Sequence, residues 1–78
     1  MSMPDMAKFN YLVAQLRHIL PSMRFNAARA LGELGDPQAI DILLATMKND
    51  ASPAVRRAAA IALSDLGVDV AEYGYSDT

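Results

Sequence analysis

Apolar side chains recur along the chain at alternating spacings of three and four residues, the pattern of one buried helix face. Residues 9–20 and 40–47 carry large aliphatic and aromatic side chains at these positions, whereas residues 23–34 and 55–66 combine leucines with many alanines. The pattern therefore predicts four amphipathic helices, at about residues 5–20, 22–34, 37–48 and 53–66.

The residues between these segments carry signals for the end of one helix and the start of the next. Gly35, Asp36 and Pro37 follow one another as a C-terminal glycine, an N-cap aspartate and a first-turn proline. One helix is therefore expected to stop where the next begins. The same start and stop signals recur in the second half of the chain, at Ser52, Pro53 and Gly67.

The second half of the chain repeats the first. When the chain is shifted by 32 residues, Pro21 to Gly35 lies over Pro53 to Gly67, and eight of the fifteen pairs are identical. The segments before them match at a shift of 31, with Phe9 over Ile40 and the later apolar positions in step. A fixed period of this length is typical of helical-repeat proteins.

These features predict an all-α protein, a short α-solenoid of two helical hairpins. We expect one domain over residues 1–67, with hairpins at 5–34 and 37–66, followed by an acidic tail at 68–78 that contains tyrosine. The alanines of each second helix favour close helix packing in the core.

The chain has few of the side chains that catalysis or the binding of metals and cofactors requires. It has 78 residues, no Cys and a single histidine, His18. Metal sites and nucleophile–base pairs need several such side chains, and caps, turns and solvated faces explain the aspartates. We therefore expect no catalytic residue, no metal site and no cofactor.

Charge and hydropathy narrow the expected environment. The formal net charge is −2 and the pI is about 5.0, whereas nucleic-acid-binding domains usually carry a basic excess. The N-terminal residues lack the features of a signal peptide, and no apolar run approaches the ~20 residues of a transmembrane helix. These features predict a cytoplasmic protein without membrane association and disfavour nucleic acid as a partner.

Two stretches resemble a known family of repeats. Residues 28–47 (ARALGELGDPQAIDILLATM) and 53–67 (PAVRRAAAIALSDLG) are similar to the HEAT-like repeats named after phycobilisome lyases. The resemblance implies two stacked hairpins in a right-handed solenoid, and a role in protein–protein contact or in bilin attachment. The chain departs from the family in having only two repeats and in lacking Asp-Pro after Gly67.

Arg24 and Arg56 occupy the same position in the two repeats. The resemblance implies a structural role for them, in which each arginine reaches an acidic group near the turn of its hairpin. Asp50 is the expected partner of Arg56, whereas Arg24 has His18 in the corresponding place and has either no acidic partner or one across the stack. The other positions with an expected structural role are Asp36, Gly35 and Gly67.

Positions at which the two repeats differ are the better candidates for function, because the scaffold does not require them. Phe25 aligns with Arg57, and Arg29 aligns with Ile61. We expect these four residues to lie on the concave face of the second helices, where solenoids usually bind their partners. Alternatively, Phe25 covers the open end of a short core.

The tail leaves two alternatives open. It is either a frayed end or a segment in which Val70, Tyr73 or Tyr75 folds back on the last helix or docks on a partner.

The sequence favours a non-catalytic adaptor or assembly subunit that binds another protein, with self-association as one form of this role. The resemblance implies an alternative, an accessory or chaperone-like subunit for attaching a bilin to another protein. A third function, nucleic-acid binding through the arginines of the second helices, is disfavoured by the acidity of the chain.

Overall fold

The computed structural model describes residues 6–76, which form four α-helices and two short 3₁₀ helices without any strand. The expected all-α solenoid is therefore confirmed. No helix in this part of the chain reaches the length and apolarity that crossing a membrane requires. The α-helices are α1 (Met6–Gln15), α2 (Pro21–Leu34), α3 (Ile40–Asn49) and α4 (Pro53–Asp65), and the 3₁₀ helices are Pro37–Ala39 and Val70–Tyr73.

The first helix is shorter than its apolar pattern predicts, and its expected extension to residue 20 is wrong. After Gln15 the backbone tightens, since Arg17 N–H donates to Ala14 O at 3.1 Å and His18 N–H donates to Gln15 O at 3.0 Å. These bonds span three residues instead of four, which is the usual way for a helix to end.

Proline explains why the helix cannot continue to Leu20. Contact with the ring disfavours helical geometry for the residue before a proline, and Leu20 is extended, with φ −85° and ψ 125° before Pro21. Ile19 and Leu20 consequently leave the apolar face and are 86% and 52% exposed.

The junction between the two hairpins follows the predicted signals closely. Gly35 takes the left-handed conformation with φ +77°, and the Asp36 carboxylate accepts the backbone N–H of Gln38 at 2.9 Å. The residues after the cap, Pro37–Ala39, form a 3₁₀ turn, so α3 itself begins only at Ile40.

The second helix of the second hairpin has the predicted cap and stop. Ser52 Oγ accepts the backbone N–H of Val55 at 3.3 Å. At the other end Gly67 has φ +89°, and Val68 N–H reaches back to Leu63 O at 2.9 Å. This pair of features is the usual glycine-dependent end of a helix.

The core lies where α2 packs against α4, with α1 against α2 and α3 against α4. Small residues allow the close approach, as predicted. A Cβ atom added to Gly32 would lie 2.7 Å from Ala62 Cα, so the two backbones are already in contact. Larger side chains fill the space around them, and the largest fully buried ones are Leu31, Leu43, Leu63 and Val55.

The C-terminal segment folds back on this core through residue 76, the last residue described. Asp69 caps its 3₁₀ helix by accepting the N–H of Ala71 at 3.1 Å, as Asp36 caps the turn before α3. Val70 and Tyr75 pack against the core. The segment thus starts like a third repeat and then turns at Gly74, which has φ +85°.

Candidate protein-binding groove

An ion pair between the two hairpins holds α2 in register with the turn before α4. Arg24 Nε donates to Asp50 Oδ2 at 2.9 Å and Nη2 donates to Oδ1 at 3.1 Å. The side chains are only 15% and 8% exposed. The expectation that Asp50 pairs with Arg56 is wrong, because the carboxylate turns to the arginine of the preceding repeat.

The two repeat-equivalent arginines share a second role. Arg24 Nη1 donates to His18 O at 2.9 Å and to Ile19 O at 3.0 Å, and Arg56 Nη1 donates to Asp50 O at 2.7 Å. In both hairpins the arginine thus satisfies carbonyl groups in the turn after the first helix, in place of the acidic group that was expected near the turn of its own hairpin.

Asp50 and His18 also occupy equivalent places, although their chemistry differs. Asp50 Oδ1 accepts the N–H of Ser52 at 2.9 Å, and His18 Nδ1 accepts the N–H of Leu20 at 3.0 Å. Each side chain therefore shapes the turn before the second helix. Only the carboxylate can in addition pair with an arginine, so the first hairpin has no equivalent of the Asp50 ion pair.

The pKa of the Asp50 carboxyl lies below its ordinary value. Burial acts to raise that pKa, but the side-chain hydrogen bonds from Arg24 and the backbone N–H of Ser52 outweigh it, together with the positive charges of Arg24 and Arg56. The carboxylate is consequently charged in the folded protein at neutral pH.

Three of the four predicted partner-binding residues surround one open groove between α2 and α4. Phe25, Arg57 and Ile61 line this α2/α4 groove, which has a volume of about 620 Å³. Phe25 is half-buried and packs against the core, while Ile61 is 39% exposed. The remaining lining residues are Pro53, Ala54, Arg56, Tyr75 and Ser76.

Arg29 does not line the α2/α4 groove, although it occupies the same repeat position as Ile61. It is half-buried, and its Nε atom is buried without a hydrogen-bond partner among residues 6–76. Of the four residues expected on the concave face of the second helices, Arg29 is therefore the one that does not line the α2/α4 groove.

Sequence comparison of the repeats did not find the contribution of the C-terminal segment to this site. Tyr75 lines the α2/α4 groove and also a second groove of about 470 Å³ along α4, which shares Arg57 and Ile61 with it. The sequence did contain a signal for this contribution. Tyr75 was one of the three side chains of the tail for which folding back on the last helix was an alternative.

The stacked hairpins, their arginine-supported turns and the groove along the second helices define a helical-repeat protein. Comparison with known families identifies which helical repeat this is, since residues 9–72 match the family of HEAT repeats. The chain therefore belongs to the HEAT-repeat family.

Similarity to one curated protein shows which kind of HEAT repeat the chain resembles. The chain is 44% identical over 55 residues to the phycocyanobilin lyase subunit beta of Thermosynechococcus vestitus, a match that covers 70% of this chain and 26% of that protein. The predicted resemblance to the HEAT-like repeats of phycobilisome lyases is thereby confirmed. The chain matches only about a quarter of the length of this relative. No solved structure matches the chain.

Proposed function

We propose that the chain is a protein-binding module, an adaptor or assembly subunit, and that the α2/α4 groove receives the partner. One observation carries the proposal. Phe25, Arg57 and Ile61 stand at positions where the repeats differ, and they line a single groove. Residues that the repeat does not need, gathered at one open surface, favour recognition over scaffolding.

The chemistry of the groove suits a protein surface. A half-buried aromatic ring and a partly exposed isoleucine offer apolar area, and arginine adds a planar group with several donors. Aromatic and arginine side chains are enriched among the residues that dominate binding energy at protein interfaces. The groove therefore offers a partner both apolar contact area and hydrogen-bond donors.

A capture experiment with a matched control tests the proposal. The double variant Phe25→Ala/Arg57→Ala removes one aromatic ring and one arginine from the groove, while Tyr11→Ala/Arg17→Ala removes the same groups from exposed positions elsewhere. Immobilised variants of equal helicity are exposed to extract of the native cell, and bound proteins are quantified by mass spectrometry. We expect the groove variant to lose proteins that the control retains.

Equal capture by the two double variants would exclude the α2/α4 groove as the binding surface. The same samples give the mass of each chain by light scattering. If the wild-type chain is oligomeric and only the groove variant is monomeric, the partner is a second copy of the chain.

A second candidate function is an accessory role in bilin attachment, which the similarity to a phycocyanobilin lyase subunit favours. A linear tetrapyrrole combines a chain of conjugated rings with carboxylate groups. The α2/α4 groove offers apolar walls together with the cationic side chains of Arg56 and Arg57. Titration of the purified chain with phycocyanobilin, followed by absorbance, tests this role. A spectral change that Arg57→Ala abolishes would support it, and an unchanged spectrum would argue against it.

A further inference from the structure

The C-terminal segment of the chain, residues 69–76, lies along the surface that the proposed function assigns to a partner. Tyr75 lines the α2/α4 groove, the second groove along α4, and a third cavity of about 310 Å³ beside Lys48 and Arg56. The ring is half-buried and belongs to the apolar cluster of the core. The segment thus forms one wall of the α2/α4 groove and packs on the surface next to it.

The surface beneath the segment is positive, although the chain as a whole is acidic. Three cationic side chains, Lys48, Arg56 and Arg57, line these cavities. Among residues 6–76 no aspartate or glutamate lines any of the three. The chain has nine acidic and seven basic residues, so this concentration of positive charge is a local feature.

The segment carries the complementary chemistry. Residues 69–78 read DVAEYGYSDT and contain three acidic side chains, two tyrosines and no lysine or arginine. One of the two tyrosines already contacts a cation of this surface, since Lys48 Nζ lies 5.6 Å from the centroid of the Tyr73 ring. A cation over an aromatic face at this distance is attractive.

The backbone of the segment forms a short 3₁₀ turn, whereas the surface beneath it belongs to α-helices. This turn is capped by Asp69 and closed by a 3.2 Å bond from Tyr75 N–H to Val70 O. Tyr73 is 45% exposed. Short elements with few buried contacts open at a small fraction of the free energy of global unfolding. Opening of the segment should therefore require less free energy than unfolding of the hairpins.

We propose that residues 69–76 act as an internal ligand of the α2/α4 groove and that the protein partner docks through an acidic segment containing tyrosine, which replaces them. This proposal rests on the proposed function and specifies the chemistry of the partner. Because the internal ligand competes for the site, the apparent affinity for the partner equals the intrinsic affinity multiplied by the fraction of chains in which the segment has opened. Weakening the segment should accordingly strengthen binding in trans.

The probe for this proposal is a fluorescein-labelled synthetic peptide of residues 69–78, titrated with full-length chain and followed by fluorescence anisotropy. We expect Tyr75→Ala in the chain to raise the affinity for the peptide by about tenfold or more over wild type, because the internal competitor is weakened. Adding Arg57→Glu to that variant should abolish binding. A peptide with Glu72→Lys and Asp77→Lys should bind at least about tenfold more weakly than the native peptide.

A second variant keeps the test informative if Tyr75→Ala does not fold. Tyr73→Ala in the chain removes the ring contact with Lys48 from the internal segment only, because the labelled peptide keeps its own Tyr73, and should also raise the affinity for the peptide. Circular dichroism verifies that each variant keeps the helicity of wild type.

The proposal would be overturned by an absence of peptide binding to either folded variant, by equal affinity in wild type and Tyr75→Ala, or by binding that Arg57→Glu leaves unchanged. A wild-type dimer formed by exchanged segments would also overturn it, because the occupant would then be a second copy. If the peptide does not bind but the groove variant still loses captured proteins, the proposed function stands and only the assigned chemistry of the partner is wrong.

Discussion

Arg24 on α2 and Asp50 in the turn before α4 join the two hairpins through a two-point ion pair, with N–O distances of 2.9 and 3.1 Å. The two residues are 26 positions apart in the sequence. Both side chains are largely buried, so neither can regain full hydration if the other is removed. This contact complements the apolar packing of α2 on α4 by fixing how the hairpins are positioned along each other.

Removal of the Asp50 charge should destabilise the fold. Asp50→Asn keeps an oxygen for the N–H of Ser52 but leaves the buried Arg24 without its counterion. A hydrogen bond to a charged group contributes about 2 kcal/mol, and we expect a loss of that order in the free energy of unfolding measured with urea. The control Asp65→Asn changes an exposed aspartate at the end of α4 and should have little effect. Equal losses in the two variants would contradict the assigned importance of the ion pair.

The repeat-equivalent arginines offer a second comparison. Arg24 and Arg56 both donate to backbone carbonyls, but only Arg24 also holds the Asp50 carboxylate. Arg24→Ala should therefore lower the free energy of unfolding by more than Arg56→Ala, by about 1–2 kcal/mol. Thermal and urea unfolding of the two variants measure the difference. An equal or reversed order would show that the carbonyl contacts, and not the ion pair, dominate.

Acid should weaken the fold through Asp50. Because its pKa is lowered in the folded protein, the unfolded chain binds this proton more readily than the folded chain. The stabilisation is complete above the ordinary pKa of aspartate, about 3.9, and is lost as the pH falls through the lowered value. We expect the free energy of unfolding of wild type to decrease below about pH 4 more steeply than that of Asp50→Asn. Parallel pH curves for the two proteins would refute this assignment.

Gly32 should not tolerate a methyl group. In most helices Gly→Ala is stabilising by about 0.5–1 kcal/mol, but here the new Cβ would meet the Ala62 backbone at 2.7 Å. Gly32→Ala should therefore lower the melting temperature, because α2 and α4 must move apart. Ser64→Ala, at the same repeat position on an exposed site, is the control and should be neutral or slightly stabilising. A Gly32→Ala variant as stable as wild type would disprove the tight approach of the helices.

The sequence predicted those parts of the fold that depend on local chemistry. Asp36 and Ser52 cap the elements that they precede, and the turns at Gly35 and Gly67 have the positive φ that glycine favours. These signals act within a few residues of each other. Apolar periodicity alone was less reliable, since it continued through Leu20, where the following proline forces the backbone out of the helix.

The contacts that the sequence did not predict join residues that are distant along the chain. Asp50 was assigned to the arginine of its own hairpin, because the choice between two equivalent arginines depends on how the hairpins stack. The same reason explains Arg29, which shares a repeat position with a groove residue but lies outside the α2/α4 groove. Comparison of the repeats could indicate which positions are unusual, whereas their surroundings follow only from the packing of α2 on α4 and of residues 69–76 across it.

The most direct test of the α2/α4 groove as a protein-binding surface is site-specific photo-cross-linking in the native cell. A benzophenone amino acid is placed at Ile61 in the groove or at Ala45, an exposed position on α3. Adducts are then identified by mass spectrometry. We predict that the probe at position 61 forms a discrete adduct with a partner protein, and that Phe25→Ala/Arg57→Ala removes this adduct. A partner adduct found only from position 45, or one at position 61 that survives the groove substitutions, would contradict the proposal.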